Sequence, residues 1–156
     1  MKDQETKTKT EAVVQELLDR GAIRDVIMRF AIGVDGRDWD LVASCFTPDA
    51  YFDSGPIFQG KIQQGIPIFR ENMAHFESTM HFTGTQVIEL NGDKASAETY
   101  GIDYHRLNVQ GKQKDVIVGL RFLDDLVRQS ERWLIQRRVV KFVWQREDAV
   151  VLPTGI

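Results

Sequence analysis

The strongest constraint on this chain is a change of character at Ser78. Beyond it, Thr79 to Leu90, Lys94 to Val109, Lys114 to Val127 and Trp133 to Trp144 are long segments rich in β-branched and aromatic residues. Only Asn91-Gly92-Asp93, Gln110-Gly111-Lys112 and Gln129-Ser130-Glu131 separate them. Turns that short join neighbouring antiparallel strands, because a parallel return needs a crossover of about a dozen residues or more. The second half therefore reads as a four-stranded antiparallel meander.

The first half carries a different period. Between Val13 and Val34 the apolar residues include Leu17, Leu18, Ile23, Val26, Ile27, Phe30 and Ala31, the i, i+3, i+4 spacing of an amphipathic helix. Gly21 costs about 1 kcal/mol relative to alanine inside that pattern, so a break near Asp19 to Gly21 is expected. Asp38 is placed to cap a second helix, Trp39 to Phe46, which Pro48 closes. Ala50 to Asp53 reads as a short strand ending in the turn Ser54-Gly55-Pro56. A third helix carries Ile66, Phe69, Met73 and Phe76 on one side, with Pro67 in its first turn. Helices first and a curved meander afterwards define an α+β fold, with the helices across one face of the sheet. With 156 residues and neither repeat nor linker, one domain over 1–156 is expected, residues 1–10 forming a disordered tail.

Composition narrows the function. A net charge of -3 argues against a nucleic-acid partner, which needs a basic surplus. No run approaches the roughly 18 apolar residues of a membrane span, and Lys2 to Thr10 has no signal-peptide core. Cys45, the single cysteine, cannot form an internal disulfide, so a reducing compartment, the cytoplasm, is expected, and in its apolar stretch it reads as a core thiol. There is no glycine-rich phosphate loop, Gly-x-Ser-x-Gly elbow, Cys-x-x-Cys pair or His-Glu-x-x-His helix. His75, His81 and His105 lack the paired spacing of a usual zinc site. Neither metal nor cofactor is expected.

Four residues could do chemistry. Asp35 continues the apolar stripe of the first helix through Ile27 and Ala31, so its carboxylate either finds a partner near the core or turns to solvent beside Gly36. His81 opens the first strand of the meander, on one face with Thr83, Thr85 and Val87, and gains meaning if it meets Asp35. A carboxylate on one ring nitrogen would fix the tautomer and leave the other nitrogen as a base. In the next strand Ala95, Ala97, Thr99, Gly101, Asp103 and His105 share a face whose small residues leave room. That face points either under the helices or to water. Tyr100, Ile102 and Tyr104 lie opposite, a bulky surface suited to another subunit.

The order of Gly33-Val34-Asp35-Gly36-Arg37-Asp38-Trp39-Asp40, Cys45-Phe46-Thr47-Pro48-Asp49-Ala50, Met80-His81-Phe82, Gly92-Asp93-Lys94-Ala95, Glu98-Thr99-Tyr100 and Arg137-Arg138-Val139-Val140 resembles the SnoaL-like (polyketide-cyclase-like) branch of the nuclear transport factor 2-like superfamily. The resemblance implies a cystatin-like cone, a strongly curved, mainly antiparallel sheet wrapped around an internal cavity. Scytalone dehydratase, bile-acid dehydratase and hexachlorocyclohexane dehydrochlorinase belong to this branch, and Asp35 and His81 match their aspartate–histidine pair. Asp103 resembles a further polar pocket residue, His105 a second histidine, and Phe30 stands where the bile-acid enzyme has tyrosine. The implied function is a cofactor-free lyase of the dehydratase kind, acting on a small hydrophobic ring compound. Asp35 and His81 would be catalytic, with Phe30, Tyr51, Asp103 and His105 substrate-binding and Tyr51 or His105 donating a proton. An isomerase on the same site, a non-catalytic binding module and the small subunit of an aromatic ring-hydroxylating dioxygenase are the alternatives. A homo-oligomer is implied, a trimer rather than a dimer.

Overall fold

A computed structural model describes residues 2–149. Helix α1 spans Lys2–Asp35 and α2 Trp39–Ser44; strand β1 (Phe46–Asp53) and the short β2 (Gln59–Lys61) lead into α3 (Ile62–Ala74). Then come β3 (Ser78–Asn91), β4 (Lys94–Val109), β5 (Lys112–Gln129) and β6 (Arg132–Ala149). The six strands form one sheet in the order β2-β1-β6-β5-β4-β3. As expected, β3 to β6 are an antiparallel meander. β1 adds beside β6 in parallel, which makes the sheet mixed. The helices lie on one face, where Ile23, Ile27, Phe30 and Val34 of α1 join Phe52, Leu120, Phe122 and Ile135 of the sheet in one apolar core.

Two expectations about α1 fail. The helix begins at Lys2, so residues 2–10 are helical rather than a disordered tail, and it passes Gly21 unbroken. Its neighbours explain the second point. Asp19 accepts hydrogen bonds from Trp133 Nε1 (3.1 Å) and Arg128 Nη2 (2.7 Å), while Arg20 Nη1 donates to the Ile88 carbonyl (2.7 Å). Anchors immediately before Gly21, with Ile23 fully buried just after it, outweigh a penalty of about 1 kcal/mol.

The end of α1 is built by its own backbone. Asp38 N–H donates to Gly33 O (2.8 Å) and Arg37 N–H to Val34 O (3.1 Å), with Arg37 at φ 58°. This is a Schellman closure with arginine in the left-handed position that glycine usually takes. Asp38 then caps α2 as expected, its Oδ1 accepting from Leu41 N–H at 2.9 Å. Pro48 does not stop that helix: α2 ends at Ser44, and Pro48 lies inside β1, where the pairing with β6 is irregular and a missing N–H is tolerated. Likewise α3 starts directly after β2, so Pro67 falls in its second turn rather than its first.

Candidate active site

Asp35 is the last residue of α1, where the helix dipole disfavours a negative charge. Three donors offset that. Oδ1 accepts from Thr79 Oγ1 (2.8 Å) and from the His81 ring at Nδ1 (2.6 Å), and Oδ2 accepts from the His81 backbone N–H (2.9 Å). Burial alone would raise this carboxyl, but the bonds from the His81 ring and backbone, and from Thr79, hold it below its ordinary value. A carboxylate on Nδ1 makes that nitrogen the protonated one and leaves Nε2 to face the cavity side.

Sheet register supplies the rest. His81 pairs with Asp103 across β3 and β4, and Thr79 with His105, so four polar side chains stand as two adjacent cross-strand pairs on the inner face. Asp103 Oδ2 lies 3.6 Å from His81 Nε2, and the buried Oδ1 has no hydrogen-bond partner. The imidazole, 8% exposed, thus sits between two carboxyl groups. Burial works to lower the His81 pKa, yet the Asp35 bond and the Asp103 charge raise it above the ordinary value. Asp103 is pushed up to about 6, first by burial, with the Asp35 charge adding and the His81 charge opposing. His105 is pushed down to about 4 by burial and the His81 charge. Its ring packs on Phe76 (4.8 Å) and edge-on to His81 (5.4 Å).

His81, Asp103 and His105 line a cavity of about 450 Å³, otherwise walled largely by Phe30, Phe52, Phe69, Leu120, Phe122 and other apolar side chains. No lysine or arginine lines it. Among the described residues no group of three or more His, Cys, Asp or Glu side chains is placed to hold a metal ion.

The expected residues divide. Asp35 and His81 meet, and Asp103, His105 and Phe30 line the cavity. Tyr51 does not: it is 40% exposed on the outer side of β1, and its neighbour Phe52 faces inward instead. Strand alternation decides this, since Phe46, Ala50 and Phe52 take the core face. Thr85 and Val87 also leave the face of His81, because Gly84 and Thr85 bulge between Thr83 and Gln86 and reverse the alternation beyond.

Sequence reasoning missed Arg37 and Thr79 as site residues. Arg37 Nη1 donates to Thr79 Oγ1 (2.8 Å) and Val34 O (2.7 Å), and Nη2 to Met73 O (3.1 Å). Since arginine only donates, the Thr79 hydroxyl proton is directed at Asp35. The Asp38 cap that follows Arg37 was legible; the reach of Arg37 to β3 was not. Arg138 was missed as support: fully buried, it is bidentate to Asp124 (2.7 Å twice) and stacks on Phe30 and Phe122 (4.4 and 4.5 Å).

The family profile of the SnoaL-like domain matches residues 15–139, most of the chain. The chain belongs to the SnoaL-like family. A curated relative of this SnoaL-like domain, an uncharacterised protein of Mycobacterium tuberculosis, is 28% identical over 136 residues, 85% of this chain and 91% of its own length. Among solved structures, the domain is similar to a hexachlorocyclohexane dehydrochlorinase (LinA type 2): TM-score 0.79, 22% identity, 92% of this chain and 99% of that one. A candidate scytalone dehydratase of Novosphingobium aromaticivorans gives 0.75 at 18% identity, over 92% and 98% of the two chains. A candidate aromatic ring hydroxylase of the same organism gives 0.73 at 27% identity, over 86% and 94%. The two structures under 25% identity establish the fold and not the reaction.

Proposed function

We propose that this SnoaL-like domain is a cofactor-free acid–base lyase that eliminates water from an uncharged, mostly apolar ring compound. The observation that carries the reading is His81 held between Asp35 and Asp103 at the wall of an apolar cavity. With Asp35 ionised, His81 and Asp103 share one proton, and the productive arrangement is neutral His81 beside protonated Asp103. His81 Nε2 takes a proton from the carbon next to an activating group, and the electron pair forms the double bond. The C–O bond breaks as Asp103 gives its proton to the departing oxygen, releasing water. The site is left as imidazolium and carboxylate, 3.6 Å apart, and proton return from Nε2 to Oδ2 resets it. His105 lines the same cavity, but the single N–H of its neutral ring is taken by the Val116 backbone, and Tyr51 is on the wrong face, so Asp103 is the proton donor in this reading. General acid–base transfer supplies typically about 10² to 10⁴ in rate, so positioning by Phe30, Phe52 and Phe122 must supply much of the rest.

Asp103 favours water over halide as the leaving group: hydroxide departs only with a proton, whereas halide needs a cation or dipole, and no lysine or arginine lines the cavity. An isomerase would use the same transfers without losing oxygen. The outer face of the sheet, where Phe82 (59% exposed), Tyr100 and Trp144 surround a groove, supports a homo-oligomer, a trimer in this reading, and buried Cys45 suits the cytoplasm. The test is turnover of uncharged β-hydroxy ketone ring compounds by wild type and His81→Gln. Loss of elimination in a folded His81→Gln variant supports the reading. Equal turnover by the two proteins overturns the His81 mechanism, and tight binding without turnover in both replaces the reading with a binding module.

A further inference from the structure

The core face of α1 is Ile23, Ile27, Phe30 and Val34. Half a turn round the helix, facing water, lies a second line at spacings of four, three, four, three and four: Val14, Leu18, Gly21, Asp25, Met28 and Ile32. This is the heptad spacing of a helix–helix seam. Its four large members are exposed, Val14 by 49%, Leu18 by 62%, Met28 by 44% and Ile32 by 62%. A helix that packs on its own core by one stripe normally has a polar opposite face. Every residue from Lys7 to Leu18 is also exposed, and a helical stretch of that length is marginal without a surface to pack on.

We infer that α1 pairs antiparallel with α1 of a second copy of this chain along this line. Charge selects both the occupant and the direction. Parallel pairing would set Asp25 against Asp25 at the centre of the seam. Antiparallel pairing instead sets Val14 against Ile32, Leu18 against Met28, and Asp25 against Gly21. Room exists there: a Cβ built on Gly21 meets nothing within 4 Å. Arg24 lies one turn from Gly21 on the same helix, within side-chain reach of the incoming Asp25. Neither Arg24 nor Asp25 has an ion pair or hydrogen bond among the described residues, and two-fold symmetry forms the Arg24–Asp25 pair twice. The seam runs about 27 Å, at 1.5 Å per residue. It lies on the far side of the molecule from the sheet groove around Tyr100, and it stands or falls independently of the reaction proposed above.

Sedimentation equilibrium of the full chain between about 1 and 100 µM tests the pairing. Leu18→Glu/Ile32→Glu, with an unchanged far-UV spectrum, is expected to halve the mass of the assembly, whatever other contacts hold it. Arg24→Asp and Asp25→Arg alone are each expected to weaken association roughly tenfold to a hundredfold, and the two together to restore it. The charge exchange remains informative if the glutamate variant fails to fold. Equal masses for wild type and folded Leu18→Glu/Ile32→Glu, or a charge exchange no better than its single changes, overturns the antiparallel pair.

Discussion

Replacing Asp103 by asparagine is expected to make the protein more stable at neutral pH, although it alters the site. Asp103 is 4% exposed, its Oδ1 has no hydrogen-bond partner, and its pKa is pushed up to about 6 from an ordinary 3.8. Below pH 3.8 the carboxyl is protonated in both folded and unfolded chains. From there to pH 6 the folded state holds the extra proton, so stability falls as pH rises, at about 1.4 kcal/mol per pH unit. The ionised group therefore costs the native state about 3 kcal/mol at pH 7 relative to pH 4. His105 runs the other way. Its pKa is pushed down to about 4 from 6.5, so the unfolded chain binds the extra proton and stability rises with pH over nearly the same window, by a similar amount. In the wild type the two slopes largely cancel between pH 4 and 6.5. Asp103→Asn removes one of them. Urea unfolding at one fixed protein concentration should show the variant about 2 to 3 kcal/mol more stable than wild type at pH 7. The gain should shrink towards pH 4, because only the His105 slope remains. A variant that is less stable than wild type at pH 7, or whose difference does not change with pH, would refute the assignment of an unpaired, burial-shifted carboxyl.

Thr79→Val removes the hydroxyl that Arg37 directs at Asp35. With one donor fewer on Oδ1 the carboxylate becomes more basic, which should strengthen the Asp35–His81 bond, seen as a downfield move of the His81 Nδ1 proton by NMR, and Thr79→Ser should restore the signal; an unmoved resonance in Thr79→Val would mean that the threonine is only structural. With a substrate in hand, His81→Gln and Asp35→Asn should each lower kcat by roughly 10² to 10⁴, and the double variant should be little worse than the poorer single one. Additive losses would show that the two residues do not act as a unit. Gly119→Ala would drive a Cβ into the Trp144 indole, so the indole must leave its place over β5. A loss of roughly 1 to 3 kcal/mol in thermal unfolding, with a change in tryptophan fluorescence, is expected; an unchanged spectrum would place the indole elsewhere in solution.

Much of the fold was legible before any coordinates because it rests on short-range chemistry. Three short turns dictated the antiparallel meander, and alternation along β4 set Asp103 and His105 on one face, where both line the cavity. The apolar period of α1 likewise carried Asp35 round to the core side. These are local properties, decided by residues within a few positions of one another. Other features depended on elements distant in sequence. Asp35 and His81 are 46 positions apart, and their 2.6 Å contact depends on where α1 crosses β3. The Gly84–Thr85 bulge turned Thr85 and Val87 outward, and the continuation of α1 through Gly21 rested on Trp133 and Arg128 from the far hairpin. Arg37 joins the site because its guanidinium spans from α1 to Thr79 and the end of α3. Period and turn chemistry therefore determined which way most side chains point. Which partners they meet was decided by register and packing, where a single extra residue in a strand exchanges its two faces.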